Sequence, residues 1–188
     1  MKTVLVAALL AGCAVFSVTV KNDLRRERSP LQTLKLGEKM PDFTLKDASG
    51  ADVALSSVLK DNKVVLINFW ASWCGPCRLE MPSFEKLYQT KHAEGFVILA
   101  INEDEKRPDM DLYLSKKPIT FPVLIDTDSA LMKRFEVRAM PTSILVGADG
   151  KIRQVTEGIQ EYLSAFVDIE LKGPQGKAPE LKSVPGKK

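Results

Sequence analysis

Apolar residues in this chain fall into runs of three kinds, and their order predicts an architecture. Val64 to Trp70 (VVLINFW) and Phe96 to Ile101 (FVILAI) are nearly unbroken and rich in branched side chains, as strands covered on both faces are. Phe121 to Ile125 reads as a third, shorter strand. Elsewhere apolar positions recur at helical spacing. Cys77, Met81, Phe84 and Tyr88 predict a helix from about Gly75, stopped by Gly95 and kinked at Pro82. Asp109 to Lys117 and Ser129 to Phe135 predict two more. Ile159, Tyr162, Leu163, Phe166, Val167 and Leu171 sketch a last amphipathic one. Strict alternation marks the remainder. Phe43 and Leu45, a turn at Asp47-Ala48-Ser49-Gly50, then Val53 and Leu55 predict an early hairpin. Thr142 to Val146, Ala148-Asp149-Gly150 and Ile152 to Thr156 predict a closing one.

Buried strands alternating with helices predict an α/β domain with a mostly parallel sheet, which the closing hairpin makes mixed. That domain spans residues 37–171. Before it, Thr3 to Val20 is an 18-residue stretch without a charge, bounded by Lys2 and Lys21. As a helix it would be about 27 Å long, close to the ~30 Å of a hydrocarbon core. Residues 1–21 are therefore expected to be a membrane anchor or an export signal. Leu10-Ala11-Gly12-Cys13 resembles a lipobox, with Cys13 as the lipidated residue, although only twelve residues precede it and Ala14 to Val20 stay apolar. Positive-inside counting of Lys21, Arg25, Arg26 and Arg28 points the other way, to a cytoplasmic domain. Residues 22–36 read as a charged linker. Residues 172–188, with three Gly, three Pro and five Lys, read as a disordered basic tail.

Charge sharpens this division. The net charge of +3 comes from the two ends. Residues 29–171 hold 17 Lys/Arg against 21 Asp/Glu, a net of −4, with no basic face for nucleic acid. Three Cys among 188 residues are too few for a disulfide-stapled fold. The single His, His92, leaves little room for zinc catalysis or a Ser/His/Asp hydrolase. Lying far along the helix from Cys77, it reads as structural or solvated.

Candidate chemistry lies at Cys74-Gly75-Pro76-Cys77, between a buried strand and a helix start. Two cysteines at this spacing on a first helical turn can close a disulfide. Unpaired backbone N–H groups and the positive end of the helix dipole there stabilise a Cys74 thiolate, bringing a thiol pKa from ~8.5 to roughly 7. Cys77, one turn in, is the second sulfur to act. Pro76 fits the first turn, where its missing N–H costs nothing. Zinc would want further ligands that the neighbourhood does not supply. A copper carrier would want additional Cys, Met or His, and a peroxidase a lone cysteine in another setting.

Phe69-Trp70-Ala71-Ser72-Trp73-Cys74-Gly75-Pro76-Cys77 resembles the active-site stretch of thioredoxins, and Met140-Pro141-Thr142 resembles their cis-proline loop. Gly37-Glu38-Lys39-Met40-Pro41-Asp42-Phe43, Arg78-Leu79-Glu80-Met81-Pro82 and Phe121-Pro122-Val123-Leu124-Ile125-Asp126 are similar to motifs of the membrane-attached TlpA/ResA-like branch. The resemblance covers about residues 37–171. It implies a thioredoxin-like fold, a mixed central sheet flanked by helices, with an N-terminal hairpin and a central strand–helix insertion. It implies reduction of protein disulfides outside the cytoplasm, in bacteria often for cytochrome c maturation, with electrons from a membrane thiol donor. It implies no cofactor beyond the Cys74–Cys77 pair itself, and a monomer is expected. An oxidase or isomerase of the same fold is the alternative, although Gly75-Pro76 matches the reducing type.

The resemblance also assigns supporting roles. Pro141 is expected cis, setting the Met140 backbone beside the cysteines to pair with an extended substrate. Trp73, Gly75 and Pro76 are expected to meet substrate, and Trp70 to be core. Glu80, one turn beyond Cys77, is either an exposed helix carboxylate or the group that handles protons near the dithiol. Asn68 stands where thioredoxins carry a buried Asp; it cannot titrate, so that duty falls to Glu80 or to nothing. A buried Asn68 must still find hydrogen-bond partners.

Overall fold

The computed structural model describes residues 34–173. Its centre is a pair of parallel strands, β3 (Val64–Trp70) and β4 (Phe96–Asn102), buried along their whole length. β5 (Val123–Ile125) continues the parallel set beside β4. β6 (Thr142–Gly147) pairs antiparallel with β3, and β7 (Ile152–Glu157) antiparallel with β6. On the other edge β1 (Thr44–Asp47) pairs antiparallel with β5 and with β2 (Asp52–Ala54). The sheet therefore runs β2-β1-β5-β4-β3-β6-β7.

Two-residue periodicity sends the side chains of β3 to two separate cores. Val64, Leu66 and Trp70 enter one, with Cys77, Met81 and Phe84 of α2 (Gly75–Lys91), Met110 of α3 (Arg107–Lys116) and Val167 of α5 (Leu163–Lys172). Val65, Ile67 and Phe69 enter the other, with Leu55 of α1 (Leu55–Asp61) and Leu131 of α4 (Ala130–Arg134). Each aliphatic side chain so buried stabilises the fold by roughly 1.5–3 kcal/mol. Asn68 lies between Leu66 and Trp70 in this alternation, so parity puts it on the α2 face.

Several element boundaries depart from the sequence reading, among them those of α3, which runs Arg107–Lys116 rather than Asp109–Lys117, and α4, which runs Ala130–Arg134 rather than Ser129–Phe135. Leu55 opens α1 rather than extending β2. Leu55, Val58 and Leu59 are helically spaced, and Asp42 Oδ1 accepts the Ser56 N–H at 2.9 Å, supplying from a distance the cap that Ala54 lacks. β5 begins at Val123, after Pro122, which has no N–H to give a ladder although its carbonyl accepts from Ala100 N at 3.0 Å. α5 begins at Leu163, because Gly158, at φ 88°, turns the chain into a loop that leaves Ile159 and Tyr162 exposed. It ends at Lys172, one residue inside the expected tail. α2 continues through Pro82 and passes into a 3-10 turn, His92–Glu94. Gly95 follows at φ 102°, where a Cβ would also press on Lys63.

Residues 3–20, with Cys13, and the tail beyond residue 173 lie outside the described residues. Among those described, no helix is long and apolar enough to cross a membrane.

Candidate active site

The end of β3 and the start of α2 are joined by Ala71-Ser72-Trp73, and the fold pins this link tightly. Asp104, just past β4, accepts the Ser72 N–H at 3.0 and 3.2 Å and the Ser72 hydroxyl at 2.9 Å. Asn102 Nδ2 donates to the same carboxylate at 2.8 Å. Cys74 is thereby placed as the N-cap of α2, where its sulfur accepts the Cys77 N–H at 3.3 Å. Cys74 and Cys77 form a disulfide with Cα atoms 5.3 Å apart. Cys74 keeps 5% of its surface open and Cys77 none, so an incoming sulfur meets Cys74 first. Pro76 occupies the first turn, and Gly75 and Pro76 are exposed.

Trp73 stands 65% exposed beside the disulfide, whereas Trp70 is core, packed against Tyr113 at 5.4 Å. The Met140–Pro141 bond is cis, and Met140 packs on the cluster that contains both cysteines. The Pro141 carbonyl accepts the Gly158 N–H at 2.7 Å, tying this loop to β7. His92 is exposed at the far end of α2, with Nδ1 3.1 Å from the Tyr88 carbonyl.

Glu80 is not an exposed helix carboxylate: only 2% of it reaches solvent. Its Oε1 accepts from Asn68 Nδ2 at 3.0 Å, and its Oε2 from the Gln160 N–H at 3.3 Å. Asn68 also donates to Ser143 Oγ at 3.0 Å, across the β3–β6 register that sets these two residues opposite each other. Burial raises the Glu80 pKa to about 7, outweighing the two hydrogen bonds that favour its charged form. The helix thus carries, one turn beyond Cys77, an acid poised to take or give a proton at neutral pH. Gln160 and Ser143 were missed by the sequence reading. Nothing local marks either one; both are brought in by sheet register and by the loop before α5.

Sequence and structure comparisons agree with this geometry. The model of the AhpC/TSA family matches residues 36–155. The chain is 31% identical over 152 residues to the thiol-disulfide oxidoreductase ResA of Geobacillus kaustophilus, covering 81% of this chain and 84% of that one. It is 29% identical over 148 residues to ResA of Bacillus subtilis, covering 76% and 82%. Among solved structures, a putative thiol:disulfide interchange protein DsbE from Chlorobium tepidum superposes with a TM-score of 0.66 at 33% identity. That match covers 74% of this chain and 97% of that one.

Proposed function

The chain belongs to the AhpC/TSA family and is a thiol–disulfide oxidoreductase of thioredoxin-like fold, and we propose that it works outside the cytoplasm as a reductant of protein disulfides. The observation that carries this reading is the Cys74–Cys77 disulfide at the head of α2, with a buried acid one turn behind it.

In the reduced protein the Cys74 thiolate attacks one sulfur of a substrate disulfide. A mixed disulfide forms and the other substrate sulfur leaves as a thiolate. Cys77 then loses its proton, with Glu80 as the acceptor, and attacks Cys74 Sγ. The internal disulfide closes, the second substrate thiolate leaves, and two electrons have passed from the dithiol to the substrate. Trp73, Gly75, Pro76 and the Met140 backbone bind the substrate chain around Cys74, with Pro141 shaping the loop that presents Met140.

The electron transfer needs no cofactor beyond the two sulfurs, and a membrane thiol protein is the proposed source of electrons. Residues 3–20 attach the protein to the membrane, as an anchor helix or through lipid on Cys13. Reduced apocytochrome c cysteines are one product class that suits this assignment. The test is the equilibrium potential of the Cys74/Cys77 couple. A value near the ~ −270 mV of thioredoxin supports a reductant, whereas one above about −180 mV makes the protein an oxidant or isomerase.

A further inference from the structure

Two acidic residues follow β4 side by side, and the fold treats them oppositely. Asp104 is 1% exposed and is held by the donors of Ser72 and Asn102 described above. Glu103 is 4% exposed, yet neither of its carboxyl oxygens accepts a well-formed hydrogen bond, its polar neighbours being the Ser129 hydroxyl and the Asp126 carboxyl. Its backbone N–H bonds Trp70 O at 2.9 Å, so its position is fixed by the sheet while its carboxyl is left without a well-formed hydrogen bond. A buried polar group without a partner costs stability, and a binding site is one place where such a cost persists.

Glu103 lies on a groove of about 370 Å³ that it shares with Trp73 and Met140, the residues that flank the disulfide. Glu105 and Asp109 add acid to the groove, against a single base, Lys106. Met132 and Met140 give it an apolar wall, and the exposed indole of Trp73 offers a face to a cation. An acidic floor, an aliphatic wall and an aromatic lip match a long apolar stem that ends in a positive charge.

We propose that Glu103 is the floor of a specificity subsite that takes a basic side chain, arginine or lysine, carried by the substrate chain close to its cysteine. The proposal rests on the disulfide-reductant reading and names a feature of its substrates. An arriving guanidinium or ammonium supplies charged donors where Glu103 has only the poorly placed Ser129 hydroxyl. Because the carboxyl is closed to bulk water, the cation reaches it by pushing aside the flexible side chains of the groove wall. In the free protein, burial and then the neighbouring Asp126 raise the Glu103 pKa to about 8, against the pull of the Ser129 hydroxyl. The empty subsite is therefore largely uncharged at neutral pH.

The experiment uses disulfide-linked peptides that differ only in carrying Arg, Lys, Ala or Glu at positions near the cysteine. Wild-type protein is expected to reduce the best-placed Arg or Lys peptide with a kcat/KM about tenfold above its Ala counterpart, the Glu peptide being poorest. In Glu103→Gln and Glu103→Met that ratio is expected to fall to about two or less. Because the substitutions remove an unsatisfied buried carboxyl, both variants should melt no lower than wild type. Equal rates for all peptides with the wild-type protein overturn the subsite. So does a preference that survives in both variants, or a large loss of stability without loss of preference. Equilibrium binding of the Arg and Ala peptides to the oxidised protein is read alongside. If no peptide is reduced, the reductant reading fails by itself, and the binding ratio still decides whether the groove prefers a cation.

Discussion

Asn68 Nδ2 lies 3.0 Å from Glu80 Oε1, so a side chain that cannot titrate holds one that does. The pairing follows from strand parity, which puts Asn68 on the α2 face, and from a helix one turn past Cys77 that turns its acid inward. Asn68 does not replace the buried aspartate of thioredoxins as a base. It orients and partly stabilises the carboxylate that can take that duty. Asn68→Ala removes a bond that favours the charged form, so the Glu80 pKa should rise further. The pH–rate profile of disulfide exchange should shift to the alkaline side by about half a unit to one unit. A profile unmoved from wild type would separate the two residues functionally.

Glu80→Gln should slow exchange, by about 10- to 100-fold if the carboxyl acts as general base toward Cys77, and should remove the inflection near pH 7. Stopped-flow reduction of a small disulfide between pH 5 and 9 checks both. A full rate with an unchanged profile would reduce Glu80 to a structural acid.

The same burial makes a prediction about stability. Glu80 and Glu103 have folded-state pKa values of about 7 and about 8, against 4.5 for an ordinary glutamate. The folded protein therefore keeps protons that the unfolded chain has released. The resulting stabilisation is complete below about pH 4.5 and is lost as pH rises, through 7 for Glu80 and through 8 for Glu103. For Glu80 alone the change is on the order of 3 kcal/mol. Urea unfolding of the oxidised protein should give a lower midpoint at pH 8.5 than at pH 5.5, and Glu80→Gln should flatten that difference. A midpoint that climbs over this interval would contradict the assignment.

Asp104 should matter for a different reason. Asp104→Ala leaves the Ser72 N–H without its acceptor at the link into α2, at a cost of about 1–3 kcal/mol. Ser72→Ala, which keeps the N–H bond and loses only the hydroxyl, should cost less, about 0.5–1.5 kcal/mol. Denaturant midpoints of the two variants, measured together, give the order directly.

The parts of the fold that were legible in the sequence are those where one physical signal dominates. β3 and β4 are continuous apolar runs, and only burial on both faces explains such runs. The Cys74–Cys77 pair announced itself by spacing and by its place between strand and helix. The cis Met140–Pro141 bond came from resemblance, since X–Pro bonds are mostly trans. α1 was hidden because Val53 and Leu55 also satisfy strand alternation, and its cap comes from Asp42, fourteen residues before Ser56. The settings of Glu80 and Glu103 were hidden more deeply. Gln160 lies 80 residues beyond Glu80, and the polar run Asn102 to Lys106 holds no apolar pattern that would mark Glu103 for burial. Burial of a single charged residue is a property of the assembled fold, and no local pattern encodes it.

The division of labour between the two sulfurs is the central claim, and trapping measures it most directly. With Cys77→Ala, the account predicts mixed disulfides between Cys74 and substrate proteins that accumulate and are identified by mass spectrometry, while Cys74→Ala accumulates none. Adducts forming equally through Cys77 in Cys74→Ala, or none forming through Cys74 in Cys77→Ala, would contradict it.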